Sequence, residues 1–253
     1  MFNIFRKKKH ITTLPYHTDV HCHIMPGVDH GAQTIEDSLA MLRAEMEMGI
    51  NRVILTSHVT AETFENTPET LAAGFDTLKR AVEEEQLPIE LHYSAEYRID
   101  EYWNKEYALG HEIPMPGNFI LMENSFQQEM LQLDDLLFDL RVKGYKPILA
   151  HPERYSYYSA RKQRLQQIHD TGVKFQVNLL SLAGYFGHGP RETALWMIQN
   201  GLVDMLGTDM HNLEHAKVIH DYIASHDWER QAKKLEGHLL NDWVKGPTQK
   251  AQH

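Results

Sequence analysis

The sequence predicts an α/β fold on a parallel sheet, and three observations predict it. Short runs rich in β-branched and aromatic residues alternate with amphipathic stretches along nearly the whole chain, the pattern of βα units whose crossover helices leave neighbouring strands parallel. Cap residues open several of the amphipathic stretches and glycines close them. No Pro-, Gly- or Ser-rich linker interrupts the series, so residues 16–244 read as one domain, between a basic tail at 1–15 and a short tail at 245–253. The total of 253 residues suits a single α/β barrel, which typically takes ~250.

Tyr16–Val20 is the first expected strand. Thr34 is then placed to cap a helix in which Ile35, Leu39, Leu42 and Met46 keep helical spacing, and Gly49 sits where a left-handed C′ residue belongs. After the strand Arg52–Thr56, Thr67 and Pro68 mark the start of a second helix, with Leu71, Phe75, Leu78 and Val82 as its buried stripe. Strands follow at Ile89–Ala95 and Asn118–Met122. Gln127–Lys143 reads as a helix stopped by Gly144 and leads into Pro147–Ala150. Val173–Asn178 is the sixth strand, and the helix Arg191–Asn200, stopped by Gly201, leads into the seventh, Leu202–Leu206.

Composition narrows the functional classes. With 25 Lys+Arg against 35 Asp+Glu the net charge is −10, which argues against nucleic acid held on a broad basic surface. A single cysteine, Cys22, excludes an internal disulfide framework and a Cys-based structural zinc site. A reducing compartment follows, and the cytoplasm is the expected location. No run approaches the ~18 apolar residues of a membrane span. Met1–Phe5 followed by Arg6–Lys9 reads as a solvated tail, the only direct route to a membrane apart from a partner, and Phe2 excludes myristoylation. The 17 His, which outnumber the 15 Gly, point to metal chemistry, histidine being the commonest metal ligand.

Part of that surplus lies at the predicted strand ends. His21 and His23 follow the first strand two residues apart, which in an extended segment puts both on one face. His58 follows the second strand, Glu96 the third, Glu123 the fourth and His151 the fifth, while Asp209 and His211 repeat the one-face pairing after the seventh. Six of seven strands thus deliver a His, Asp or Glu to their C-terminal edge, the edge where parallel α/β folds carry their chemistry. With His30 there are nine candidates. They are borderline ligands that Zn, Mn and Fe accept, and more than one ion can use. Two or three ions are expected, with one carboxylate bridging. Asp19 has the place of a turn or supporting acceptor.

The run Asp19-Val-His-Cys-His-Ile-Met-Pro-Gly-Val-Asp29-His30-Gly31, with Ser57-His58, Glu96, Glu123, His151-Pro-Glu-Arg154 and Asp209-Met-His211-Asn212, resembles the polymerase-and-histidinol-phosphatase (PHP) superfamily. It is most similar there to the manganese-dependent protein-tyrosine phosphatases of bacterial capsule and exopolysaccharide systems, from about Asp19 to His220. The resemblance implies a distorted (β/α)7 barrel of the PHP type and two or three divalent metal ions, Mn first, with Fe or Zn as alternatives. It implies a tyrosine-phosphorylated protein as substrate, a bacterial tyrosine autokinase of capsule or exopolysaccharide synthesis. Carried over by residue, His21, His23, Asp209 and Glu96 would hold the first ion. Glu96 would bridge to a second with Glu123 and His151, and His58, His211 and His30 would hold the third. Two positions depart from the pattern. His30 stands where those relatives usually have Asp, which should shift metal preference toward Zn or Fe. An arginine often found shortly after the Asp-x-His motif is missing from Leu213-Glu-His215-Ala-Lys217, where His215 or Lys217 is the available substitute.

A cysteine-dependent tyrosine phosphatase needs Cys-x5-Arg, but Val28 stands where Cys22 would require the arginine. The nucleophile is therefore expected to be a metal-activated hydroxide, with Asp209 and His211 in the catalytic set. Arg154 is expected to grip the phosphate in bidentate fashion, the alternative being a surface ion pair with Glu153 or another acid. The segment Tyr97–Trp103 is a candidate for stacking on the substrate ring, although core or rim packing is the expected role of any one aromatic in it. Three rival readings stay open. They are a histidinol-phosphate or other small-molecule phosphomonoesterase, a PHP nuclease, and a non-catalytic phosphotyrosine-binding scaffold.

Overall fold

Residues 13–247 are described in a computed structural model of the chain; the Met1–Phe5 and Arg6–Lys9 segments and the end of the C-terminal tail lie outside them. The chain opens with β1 (Thr18–Asp19) and α1 (Ile35–Glu47). Thr34 accepts from the Asp37 N–H as the cap expected from the sequence, and Asp37 also reaches back to the Thr34 N–H, a reciprocal contact beyond that expectation. The second predicted strand forms β2 (Arg52–Leu55) and is followed, beyond its expected end, by an unforeseen β3 (His58–Val59); the third forms β4 (Glu90–Tyr93) and is likewise followed by β5 (Glu96–Arg98). Between them α2 (Pro68–Glu84) starts at the predicted Thr67 cap and buries Leu71, Leu78 and Val82. Phe75 stays half-buried, its ring 4.7 Å from Tyr93.

Next come α3 (Glu101–Ala108), β6 (Phe119–Glu123), α4 (Leu133–Val142), β7 (Lys146–Ala150), α5 (Ser156–Ser159), α6 (Lys162–Asp170) and β8 (Lys174–Asn178). The chain then forms α7 (Leu179–Ala183), α8 (His188–Gln199), β9 (Met205–Gly207), α9 (Leu213–Ile223) and α10 (His226–Leu235). Two helix starts differ from the sequence reading. The expected helix Gln127–Lys143 begins only at Leu133, because Tyr157 Oη donates to the Ser125 carbonyl (2.9 Å) and Arg164 holds Glu129 (2.8 Å) in an open loop. The helix expected from Arg191 starts three residues earlier, at His188.

Every strand pairing is parallel, in the orders β1-β2-β4 and β3-β5-β6-β7-β8-β9. The breaks after β2 and β4 let the chain change partners: Thr56 N–H turns to the Cys22 carbonyl and Glu96 N–H to those of Thr56 and Ser57. The curled sheet brings its last strand back to its first, with the Asp209 N–H on the His21 carbonyl (2.8 Å) and the His23 N–H on the Met210 carbonyl (3.0 Å). Helices cover the outside. A small apolar cluster of Val20, Ile54, Phe119, Leu121, Ile148, Met205 and Val244 is separate from the larger core beneath the helices.

Strand periodicity turns that inner cluster into a site. Side chains two apart share a face, so the row carrying Leu121 continues to Glu123, that of Ile148 to Ala150, and that of Met205 to Gly207. Glu123 thus carries the Leu121 row into the polar cluster at the C-terminal edge, where Ala150 and Gly207 add no polar side chain.

Two glycines are fixed by close approach. A Cβ at Gly31 would lie 2.0 Å from the His23 carbonyl oxygen, and one at Gly207 would lie 2.8 Å from His21 Cβ and 2.6 Å from Gln176 Nε2. Gly207→Ala should cost about 1–3 kcal/mol in urea unfolding through this overpacking and should weaken metal binding. Gly189→Ala, on the open side of α8, should be neutral or stabilising by up to about 1 kcal/mol; equal effects of the two would refute the close-approach argument.

Candidate metal centre

The strand ends place eight of the nine expected ligands in four overlapping groups whose donor atoms lie within 4.8 Å. These are His21, His23 and Glu96; His21, His151 and Asp209; His23, His58 and His211; and His58, Glu96 and Glu123. His30 stands at the mouth, its ring 4.8 Å from that of His58, 4.5 Å from that of His211 and 5.3 Å from Phe64, outside these groups.

Hydrogen bonds around the cluster fix which atoms face inward. The Asp209 carboxylate can only accept, so Asn178 presents its NH2 to Oδ2 (2.6 Å) and its carbonyl to Gln176 Nε2 (2.8 Å). Gln176 Oε1 is then left to accept from His21 Nδ1 (2.8 Å). His23 Nδ1 likewise donates to Asp29 (2.9 Å), and His211 Nδ1 to the Asp209 carbonyl (2.8 Å). All three imidazoles thus turn a bare Nε2 toward the centre, as ligating histidines held by outer partners do.

The Nε2 atoms of His21 and His23 are 3.3 Å apart. Glu96 Oε2 is 3.4 and 3.5 Å from them, and Asp209 Oδ1 3.5 and 3.3 Å. Four electron-rich atoms meet here in burial. Donors about 2.1 Å from an ion in tetrahedral array lie about 3.4 Å apart, so the set fits a divalent cation. Glu96 is shaped to bridge. Its Oε2 also faces His58 Nδ1 (3.0 Å), while Oε1 faces His151 Nε2 (2.9 Å), itself 3.8 Å from Glu123. Buried Glu96 Oε2, His151 Nδ1 and His211 Nε2 lack a hydrogen-bond partner among the described residues.

The electrostatics agree with this fit. Burial alone would lower His21, but the Glu96 and Asp209 charges outweigh it and raise it to about 9. His23 is raised by Asp29 against the same burial, and Glu96 and Asp209 are lowered by the facing imidazoles despite their own. Burial and the Glu96 charge raise Glu123 to about 8. Burial, then Arg154, lowers His151 to about 4, so its imidazole is neutral near neutrality. Both His151 (φ 32°) and Asp209 (φ 48°) hold left-handed backbone, strain of the kind that clusters at functional sites.

The centre opens into a cavity of about 670 Å³. Arg154 Nη1 donates to Asp209 Oδ2 (2.9 Å), with its guanidinium 4.0 Å from the Phe186 ring centroid and 5.0 Å from that of Phe126. It is thus no surface partner of Glu153, which is buried and accepts from the Asn178 N–H. Arg98, 3.4 Å from Glu123, adds a second cation.

Several sequence expectations need correction. Tyr97 and Trp103 are buried in the core, and Tyr102 Oη donates to the Glu65 carbonyl, so none offers a stacking face. Phe64, Phe126 and Phe186 supply the apolar walls instead. Lys217 is paired with Asp221 (2.6 Å) and lines no part of the cavity, whereas His215 does line it. Cys22 is fully buried, its thiol raised by that burial, and packs against the Ile54 carbonyl. Asp19 accepts from Thr208 Oγ1 (2.6 Å) and the His21 N–H, the supporting role foreseen for it.

The sequence pattern of capsular polysaccharide synthesis proteins, CpsB/CapC, matches residues 17–223. The chain is 31% identical to the tyrosine-protein phosphatase YwqE of Bacillus subtilis over 199 residues, 78% of each chain. It is 28% identical to the tyrosine-protein phosphatase CpsB of Streptococcus pneumoniae over 230 residues, 86% of this chain and 93% of that one. It also resembles, at TM-score 0.74 and 27% identity over 93% of its length and 98% of the other's, a chain from the crystal structures of YwqE and CpsB, described as unique metal-dependent tyrosine phosphatases.

A raised histidine is protonated at pH 7 in metal-free protein and must lose that proton to bind metal. Its stabilising effect without metal is full below the unfolded value of about 6.5 and is lost as pH rises through about 9. Calorimetric titration of Mn²⁺ into metal-free protein, in buffers of different ionisation heat, should show proton release at pH 7 that declines as pH passes about 9. PH-independent proton release would contradict the assignment.

Proposed function

The chain belongs to the CpsB/CapC family of capsular polysaccharide synthesis proteins, and on that premise we propose that it is a metal-dependent phosphoric monoester hydrolase acting on phosphotyrosine. The observation that carries this reading is the convergence of His21, His23, Glu96 and Asp209 on one point beneath an arginine- and phenylalanine-walled cavity. Relatives named as tyrosine-protein phosphatases support it. His21, His23, Asp209 and Glu96 are assigned to a first ion, Glu96, Glu123 and His151 to a second, and His58, His211 and His30 to a third. Manganese is the proposed resident metal, with iron or zinc compatible with the same mixed donor set. When bound, such ions supply Lewis acidity toward phosphoryl oxygens and a hydrolytic nucleophile at neutral pH.

The protein's own side chains do the rest. Arg154 presents a planar fork suited to two phosphoryl oxygens, and the flanking Phe126 and Phe186 rings fix the plane of that fork. Phe64, Phe126 and Phe186 give an aryl group an apolar wall, and Arg98 adds positive charge at the Glu123 side. A phenol leaves with a pKa of ~10, so its departure demands little from a general acid. The substrate proposed is a tyrosine-phosphorylated protein, specifically a bacterial tyrosine autokinase of capsule or exopolysaccharide synthesis, met in the cytoplasm. Among the described residues no helix is long and apolar enough to cross a membrane.

Mn-loaded protein should hydrolyse p-nitrophenyl phosphate and a phosphotyrosine peptide faster than histidinol phosphate. Arg154→Lys should lower kcat/KM roughly 10- to 100-fold through loss of the bidentate contact, while Cys22→Ser should stay near wild type. A His21→Ala/Glu96→Ala variant with undiminished activity would remove the metal centre from the reaction.

A further inference from the structure

We propose that a second groove, beside Phe126, seats the polypeptide flanking the phosphotyrosine, an extended and uncharged segment of the substrate protein; this rests on the phosphatase reading above. Ile99, Ser125, Gln127, Gln128, Leu131 and Gln132, with Met130, line a cavity of about 480 Å³. It shares a wall with the active-site cavity. Arg98 and Phe126 face the metal centre, and their immediate neighbours Ile99 and Ser125 face the groove. Consecutive Cα atoms are about 3.8 Å apart and an extended chain advances about 3.3 Å per residue. An extended chain leaving the first cavity past Arg98 and Phe126 therefore runs directly into the groove.

The lining selects for chemistry. No charged residue contributes to it, although acids are close by in sequence, because Arg164 draws Glu129 and Asp134 aside (both 2.8 Å). Among the described residues the side-chain amides of Gln127, Gln128 and Gln132 have no hydrogen-bond partner and are exposed. Each amide both donates and accepts, matching the N–H and C=O groups of an extended backbone. Leu131 is 98% exposed beside Met130 and offers an apolar contact. The loop is already shaped to receive such a chain. The Asn124 N–H is held by Tyr155 Oη, the Ser125 carbonyl by Tyr157 Oη (both 2.9 Å), and Glu129 by Arg164. A pre-ordered loop binds without the entropy cost of ordering. Small aryl phosphates occupy only the first cavity, so this groove is where protein and small-molecule substrates part.

The test compares metal-loaded wild type with a Gln128→Ala/Leu131→Ala variant, both positions being exposed and lining the second cavity but not the first. The probes are a phosphotyrosine heptapeptide with alanine and leucine flanks, and p-nitrophenyl phosphate. Loss of the leucine contact should lower kcat/KM on the peptide about tenfold, through KM, and leave p-nitrophenyl phosphate within about twofold. Equal losses on both substrates, or no loss on the peptide, would overturn the groove while leaving the phosphatase reading in place. Wild type that hydrolyses neither probe would overturn both.

Discussion

The structure is organised around one electrostatic constraint: bare imidazole nitrogens and carboxylate oxygens are held 3.3–3.5 Å apart in complete burial. Without a positive charge among them these atoms repel. Metal-free protein meets the constraint by taking up protons, which is why His21 and His23 are raised while Glu96 and Asp209 are lowered. A divalent ion answers the same field with more charge and fixed geometry. The outer partners Asp29, Gln176 and Asn178 fix the Nδ1 protons on the far side of the His21 and His23 rings and hold those rings in place.

The fold has to accommodate that density of donors in a small space. The parallel sheet delivers side chains to one edge, the left-handed backbone at His151 and Asp209 redirects two of them, and Gly31 and Gly207 leave room for His23 and His21. Beneath, the Ile54, Leu121, Ile148 and Met205 cluster supplies a dry support that limits side-chain movement. Rigidity at the floor contrasts with a mouth assembled from loop residues such as Phe64, Phe126 and Phe186.

Sequence made the strand ends readable because the βα repeat fixes both strand polarity and the edge to which each strand delivers its last side chains. What it hid depends on longer-range contacts. The extra strands β3 and β5, beyond the predicted ends of the second and third, follow from partner exchange at Thr56 and Glu96, which has no local signature. The open loop before Leu133 carries a helix-like pattern, but distant Tyr157 and Arg164 decide its shape. Gln176 and Asn178 were recoverable in principle. Val173–Asn178 is the one expected strand without a His, Asp or Glu at its end, and two amides in a buried strand demand partners. The aromatic walls come from segments whose loop conformation sets them at the cavity, and no spacing rule places them there.

Asp209 has a divided role. One oxygen faces His21 and His23, while the other accepts from Arg154 and Asn178. A cation held on the first side would draw carboxylate charge away from Arg154, and a phosphate gripped by Arg154 would return that charge to the cation. Thermodynamic reciprocity would make the two effects equal in free energy, so a single shared carboxylate would couple the two binding equilibria by a common factor.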